Sequence, residues 1–198
     1  MAWTNEGGDF EQAKPGLVAA RFYKIVEIGT QTDTYKGETT IRKKVLIFWE
    51  LDQKMEDGRP FSVFKEYTQS LGTKATLLKH LESWQGKVMS DEGKKNFPPQ
   101  ILLGKPCMLN LILSASDKIK VEGIMKTPDG TKVPPLVNPT QYFSMDKFDT
   151  DSFGALPNWI RAKIESSPEF KKLNTGSSED DSPGPDAPHT NPDDDIPF

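Results

Sequence analysis

Between Thr39 and Leu51 the run TTIRKKVLIFWEL splits into two chemically different faces at a two-residue period, and a β-strand is the element that presents side chains that way. Val45, Ile47, Trp49 and Leu51 fall on one side, and Arg42, Lys44, Leu46 and Phe48 on the other. The first side is wholly apolar and demands a core. The second is cationic with an aromatic. An unbroken run from Leu17 to Gly29, rich in β-branched and aromatic residues, forms a long first strand, and Gly29 allows a bend at its end. A third strand, Phe61 to Thr68, follows the turn-prone Glu56-Asp57-Gly58, so the second and third strands make a hairpin.

From Thr73 to Trp84 the spacing becomes helical, with Leu77, Leu78, Leu81 and Trp84 on one stripe and Gly86 as its stop. Residues 87–100 are polar and aperiodic and are expected to form an ordered insertion. Cys107–Leu113 and Ile119–Met125 return to strand character and pair across Ser114–Lys118. Three strands, a helix and two strands is the order of the five-stranded Greek-key barrel called the OB-fold, so a mainly β chain of that class is expected. Four prolines, Pro128, Pro134, Pro135 and Pro139, make residues 128–140 an extended connector that wraps the barrel. A short helix follows from about Pro157 to Glu165, with Ile160 and Ile164 one turn apart. The expected organisation is a flexible segment 1–15, a barrel 16–127, a connector and helix packed on it over 128–173, and a disordered acidic tail 174–198.

The net charge of −4 is unevenly distributed. Residues 175–198 hold seven acids and no base, which leaves 25 bases against 22 acids, or +3, on the rest. Such a body binds phosphate backbone where its bases cluster. A single cysteine, Cys107, excludes an internal disulfide and a cysteine-based zinc cluster, and His80 and His189 are the only imidazoles. No run of about 18 apolar residues exists to span a bilayer, and the first residues lack the pattern of a secretion signal, so a cytoplasmic protein without membrane partners is expected. Phosphate-binding glycine loops, nucleophile elbows and metal-ligand spacings are absent. Asp146, Asp149 and Asp151 resemble a two-metal cluster only superficially, because acids before a helix commonly cap it. Neither an enzyme nor a cofactor is expected.

The sequence closes on Asp193-Asp194-Asp195-Ile196-Pro197-Phe198. From Thr175 onward it is rich in Ser, Pro, Gly and Asp and has too little apolar area to offset ordering entropy. Its tip joins an acidic run to a ring and a carboxylate, which suits a partner pocket with an arginine and a basic rim. This ending resembles the C-terminal peptide of bacterial single-stranded DNA-binding proteins, which recruits replication and repair enzymes. Through Leu46-Ile47-Phe48-Trp49-Glu50-Leu51, Asp57-Gly58-Arg59-Pro60-Phe61, Leu103-Gly104-Lys105-Pro106-Cys107 and Leu156-Pro157-Asn158-Trp159-Ile160, the chain from about Gly16 to Lys172 resembles a family of phage-encoded single-stranded DNA-binding proteins. The resemblance implies a protein that coats single strands in phage replication and recombination within the host cytoplasm. It also implies recruitment of phage or host replication and repair proteins through Asp193 to Phe198. Two other roles stay open: an interaction protein that mimics the host peptide and sequesters its enzymes, and a recombination annealing protein.

A single-stranded ligand needs cations for phosphate and exposed rings for bases, with stacking contributing about 1–3 kcal/mol per base. Arg42, Lys44 and Phe48 offer both on the second strand, Arg21 and Tyr23 share a face of the first, and the third adds Lys65 and Tyr67. The loop Thr30–Glu38, with Gln31, Tyr35 and Lys36, supplies a clamp. Half of the strand aromatics belong in the core. Phe22, alternating with Val26 and Ile28, is expected inside, as are Trp49 and Phe61; Phe64 and Tyr67 point to opposite faces, and Tyr67 is taken as outward.

Overall fold

A computed structural model of the chain describes residues 11–175, so the expectations for residues 1–10 and for the acidic tail with its tip lie outside the described residues. All five strands expected from alternation are present: β1 (Gly16–Tyr35), β2 (Glu38–Lys54), β3 (Pro60–Thr68), β4 (Pro106–Leu113) and β5 (Ile119–Met125). They form one antiparallel sheet in the order β3-β2-β1-β4-β5, and a short β6 (Gln141–Phe143) pairs in parallel with β1. The chain is therefore mainly β. Because β3 and β5 end the path and no backbone ladder joins them, the sheet is open at that seam.

Two irregularities in β1 decide which way its side chains face. The register against β2 slips between Phe22 and Lys24 and again between Glu27 and Gly29, so Tyr23 and Ile28 are extra residues on the longer strand. Phe22 and Ile25 consequently lie in one core, and Tyr23, Val26 and Ile28 in another. This corrects the expectation that Phe22, Val26 and Ile28 share a face. A bulge exchanges the sides of everything beyond it, and simple alternation does not register it.

The expected clamp loop Thr30–Glu38 is also corrected. Its residues continue the ladder from Thr30 opposite Lys43 to Tyr35 opposite Glu38. Only Lys36 and Gly37 turn, both at positive φ (50° and 83°), as a two-residue hairpin requires. The result is a projecting ribbon rather than a loop.

Helix α1 (Thr76–Gln85) lies between β3 and β4, buries Leu78 and Leu81, and stops at Gly86 in the left-handed conformation, as the spacing predicts. The insertion at 87–100 is ordered. It holds α2 (Asp91–Lys95), capped by Ser90 Oγ accepting from Gly93 N–H at 3.1 Å, and a 3-10 turn at Pro99–Leu102. Beyond β6 come α3 (Thr150–Gly154), α4 (Asn158–Ser166) and α5 (Pro168–Thr175). Asp149 caps α3 by accepting from Ser152 N–H at 2.8 Å, the role expected of an acid before a helix. The N-terminal segment is partly tied down: Ala13 is buried in the core, and Lys14 exchanges hydrogen bonds with the Gln53 side chain. The free segment expected over 1–15 therefore does not extend across residues 12–14.

The sheet is buried on both sides. Val45, Ile47, Trp49 and Leu51 join Phe22, Phe61, Leu81, Leu109 and Leu111 beneath α1, as expected for the apolar face. On the other side Leu46 and Phe48 pack with Tyr23, Val26, Ile28, Phe143, Leu156, Ile160 and Ile164, so the C-terminal segment supplies a second core. Three contacts anchor it. Arg21 donates to the carbonyls of Val133 and Pro134, holding the connector. Glu50 accepts from Val137 N–H, Asn138 N–H and Asn138 Nδ2. Glu27 accepts from Tyr142 Oη, Ser144 Oγ and Met145 N–H, which fixes β6 on β1.

Gly29 lies at the junction of α4 and α5 with β1. Its φ is +68°, and a Cβ there would stand 2.7 Å from Ser167 Cβ and Oγ. Thr30, its neighbour, is held by Glu169 through N–H and Oγ1 at 2.9 and 2.6 Å. Gly29→Ala therefore combines left-handed strain with overpacking and is expected to lower stability by about 2–4 kcal/mol, seen as a lower urea midpoint at unchanged slope.

Candidate nucleic-acid interface

The open edge of β3 runs beside two adjoining concavities that share Lys65 and Glu66. One, of about 690 Å³, is lined by Arg42, Lys44 and Lys74 together with the turn Ser70–Thr76. The other, of about 750 Å³, lies between β3 and β5 and is lined by Phe64, Lys118, Ile119 and Lys120, with Glu11 at its end. Together they make one groove along the seam. Arg42, Lys74, Lys118 and Lys120 are exposed in it, and no carboxylate pairs with any of the four among the described residues.

The groove has an aromatic shoulder. Tyr23 meets Phe48 edge-on at 6.2 Å between centroids, Phe48 meets Phe64 at 5.2 Å, and Phe64 meets Trp159 at 5.0 Å, the last two pairs tilted by about 30°. The inner rings are buried, whereas Phe64 is 46% exposed and Trp159 42%. A stack of rings rooted in a core and open at its outer end is a platform on which a planar base can lie. Lys24 Nζ sits 5.7 Å from the Tyr23 and Phe48 centroids, a cation over the ladder's root. Burial holds its ammonium below the usual lysine range.

Several expected contact residues have other duties, and each is a correction to the expected cationic face. Tyr23 is buried, with its hydroxyl 2.7 Å from Ser62 Oγ, and burial raises its phenol. Phe48 is buried beneath the C-terminal helices. Arg21 is committed to carbonyls, including Gly104 O at 2.9 Å. Lys44 Nζ is neutralised by Asp33 at 2.6 Å and Glu66 at 3.4 Å, and Glu66 also pairs with Lys163 of α4 at 2.9 Å. The chain's own carboxylates occupy the place expected for phosphate.

Tyr67 points into the core, contrary to expectation; its hydroxyl is 2.8 Å from His80 Nδ1 on α1, and burial pushes its phenol far up. Burial first, then the Lys65 charge, holds that imidazole below its usual range. Lys65 stays in the groove, but its Nζ donates to Val121 O at 2.5 Å across the seam. Burial lowers its ammonium; Glu122 opposes that shift and Lys120 adds to it. Arg42 is exposed as expected. Lys36 forms the ribbon's turn beside Tyr35, whose side chain lies outside the described residues. Gln31 turns back to the carbonyls of Ile28 and Lys163.

Phe64, Trp159, Lys74, Lys118 and Lys120 were not among the expected contact residues. For Phe64 the signal was available: Phe61 and Tyr67 have the same parity on β3, so an interior Phe61 carries Tyr67 inside and turns Phe64 out. Trp159 carries no such signal, because only the docking of α4 brings it beside β3.

Among the described residues no three His, Cys, Asp or Glu side chains are grouped to hold a metal, and no helix is long and apolar enough to cross a membrane. Compared with known proteins, the chain matches no family model, no curated protein and no solved structure.

Proposed function

We propose that the chain is a phage-type single-stranded DNA-binding protein whose ligand lies along the β3 groove. The observation that carries this reading is the exposed Phe64–Trp159 pair beside a groove lined by Arg42, Lys74, Lys118 and Lys120, none of them in an ion pair among the described residues. The strand order supports an OB-type barrel left open at one seam, with β3 and β5 within reach of the Lys65 side chain. Recruitment of replication and repair proteins through Asp193 to Phe198 rests on the sequence of that tip.

Fluorescence titration with oligo(dT) at several salt concentrations tests the reading, with Trp159 as the quenched ring. Arg42, Lys74, Lys118 and Lys120, with Lys65 released from Val121, can neutralise four or five phosphates. For single strands this gives a log–log salt slope of about −3. A chain cut after residue 175 loses seven acids and binds more tightly, most clearly at low salt. Removal of Phe198 leaves oligonucleotide affinity intact and abolishes capture of replication and repair enzymes. No binding to oligo(dT) at low salt ends the proposal. Reversal of Lys118 and Lys120 separates DNA coating from a purely protein-binding role, since neither lysine is in an ion pair among the described residues.

A further inference from the structure

A third cavity lies on the other side of the β3–α1 connection and is not used by the reading above. Its volume is about 340 Å³, within the range of ligand sites. The floor is made by Ile25, Val45 and Ile47 of the sheet and Leu102 of the 3-10 turn, all buried. Leu71, Leu77, Phe97 and Pro99 line the rest of it, each partly exposed. Lys94 and Lys95 stand at its rim. Lys94 is shared with Asp91 at 3.2 Å, and Lys95 is exposed with no carboxylate partner among the described residues. Glu27 also reaches the wall, but its oxygens already accept from Tyr142, Ser144, Met145 and Gln69. The cavity thus offers an apolar floor with two lysines among its lining residues.

Its complement is an apolar side chain or ring preceded by carboxylates. The chain carries one such segment beyond the described body, Asp193-Asp194-Asp195-Ile196-Pro197-Phe198. We propose that this segment docks in the cavity, with Ile196 and Phe198 on the apolar floor and the three aspartates against Lys94 and Lys95. Reach is no obstacle. The 17 residues between Thr175 and Asp193 span up to about 60 Å, and a body of this size has a radius of gyration of about 15 Å. Proline at 197 has a ring-fixed φ, which lowers the entropy lost on docking. The β3 groove is the competing seat, having lysines and apolar residues of its own, and reversal of Lys118 and Lys120 against reversal of Lys94 and Lys95 tells the two seats apart. The site does not depend on whether that groove takes DNA.

The test uses a fluorescent peptide of residues 188–198 and the full chain carrying Phe198→Ala, so that its own tip does not compete. Saturable binding is expected, weakened at least tenfold by Lys94→Glu with Lys95→Glu and unchanged by Lys118→Glu with Lys120→Glu. In the otherwise unaltered full chain, methyl resonances of Leu71, Leu77 and Val45 shift on Phe198→Ala while those of Leu109 and Leu111 stay in place. A methyl shift that grows with protein concentration seats the tip in a second copy and keeps both site and ligand. Absence of saturable binding overturns the proposal, and so does binding lost on reversal of Lys118 and Lys120 but not of Lys94 and Lys95.

Discussion

Replacing Phe64 and Trp159 together by alanine weakens oligo(dT) binding by about 30- to 1,000-fold, while the protein stays folded. Each exposed ring is expected to stack on a base for about 1–2 kcal/mol, near the lower end of what such truncations cost. The two are in contact, so their effects couple and the double variant, not the sum of singles, is the measure. Folding suffers little because both rings are nearly half exposed and leave no closed cavity. Tyr67→Phe is the counterpart on the same strand. It removes the hydrogen bond to His80 and costs about 1 kcal/mol of stability, with oligonucleotide affinity unchanged, because that ring lies in the core. Equal affinities for the double alanine variant and the unaltered chain, compared at one salt concentration, refute the platform.

Cutting the chain after residue 127 abolishes folding, although the cut leaves all five strands of the antiparallel path intact. Tyr23, Val26, Ile28, Leu46 and Phe48 would lose their cover. At about 1.5–3 kcal/mol for each side chain, the loss is roughly 8–15 kcal/mol, the whole stability of an ordinary domain. Glu27 and Glu50 would also lose the six hydrogen bonds they accept from residues 137–145. Circular dichroism and urea titration check this: the 1–127 fragment shows no cooperative transition, and a chain cut after 175 still unfolds cooperatively. Ile160→Ala reports on the same core more gently. That residue is fully buried, and its truncation lowers stability by about 2–5 kcal/mol. A cooperatively folded 1–127 fragment contradicts the account.

The strands, α1 with its stop at Gly86, and the direction of Val45, Ile47, Trp49 and Leu51 were legible because each is a periodic property of one segment. β6 and α3 were not, since three and five residues are too few to establish a period. Nor were the bulges at Tyr23 and Ile28, which depend on the register against a partner strand. The expected cationic face failed at Lys44 because its partners, Asp33 and Glu66, come from two other strands.

Alternation alone therefore determined that this chain makes a sheet with one apolar face and where its strands and main helix lie. Which rings remain open to a ligand was decided by the return of residues 136–170 over β1 and β2, which buries Tyr23 and Phe48 and lays Trp159 against Phe64. A side chain's face is set by its immediate neighbours, but its exposure is set by whatever distant segment has apolar surface of its own to hide.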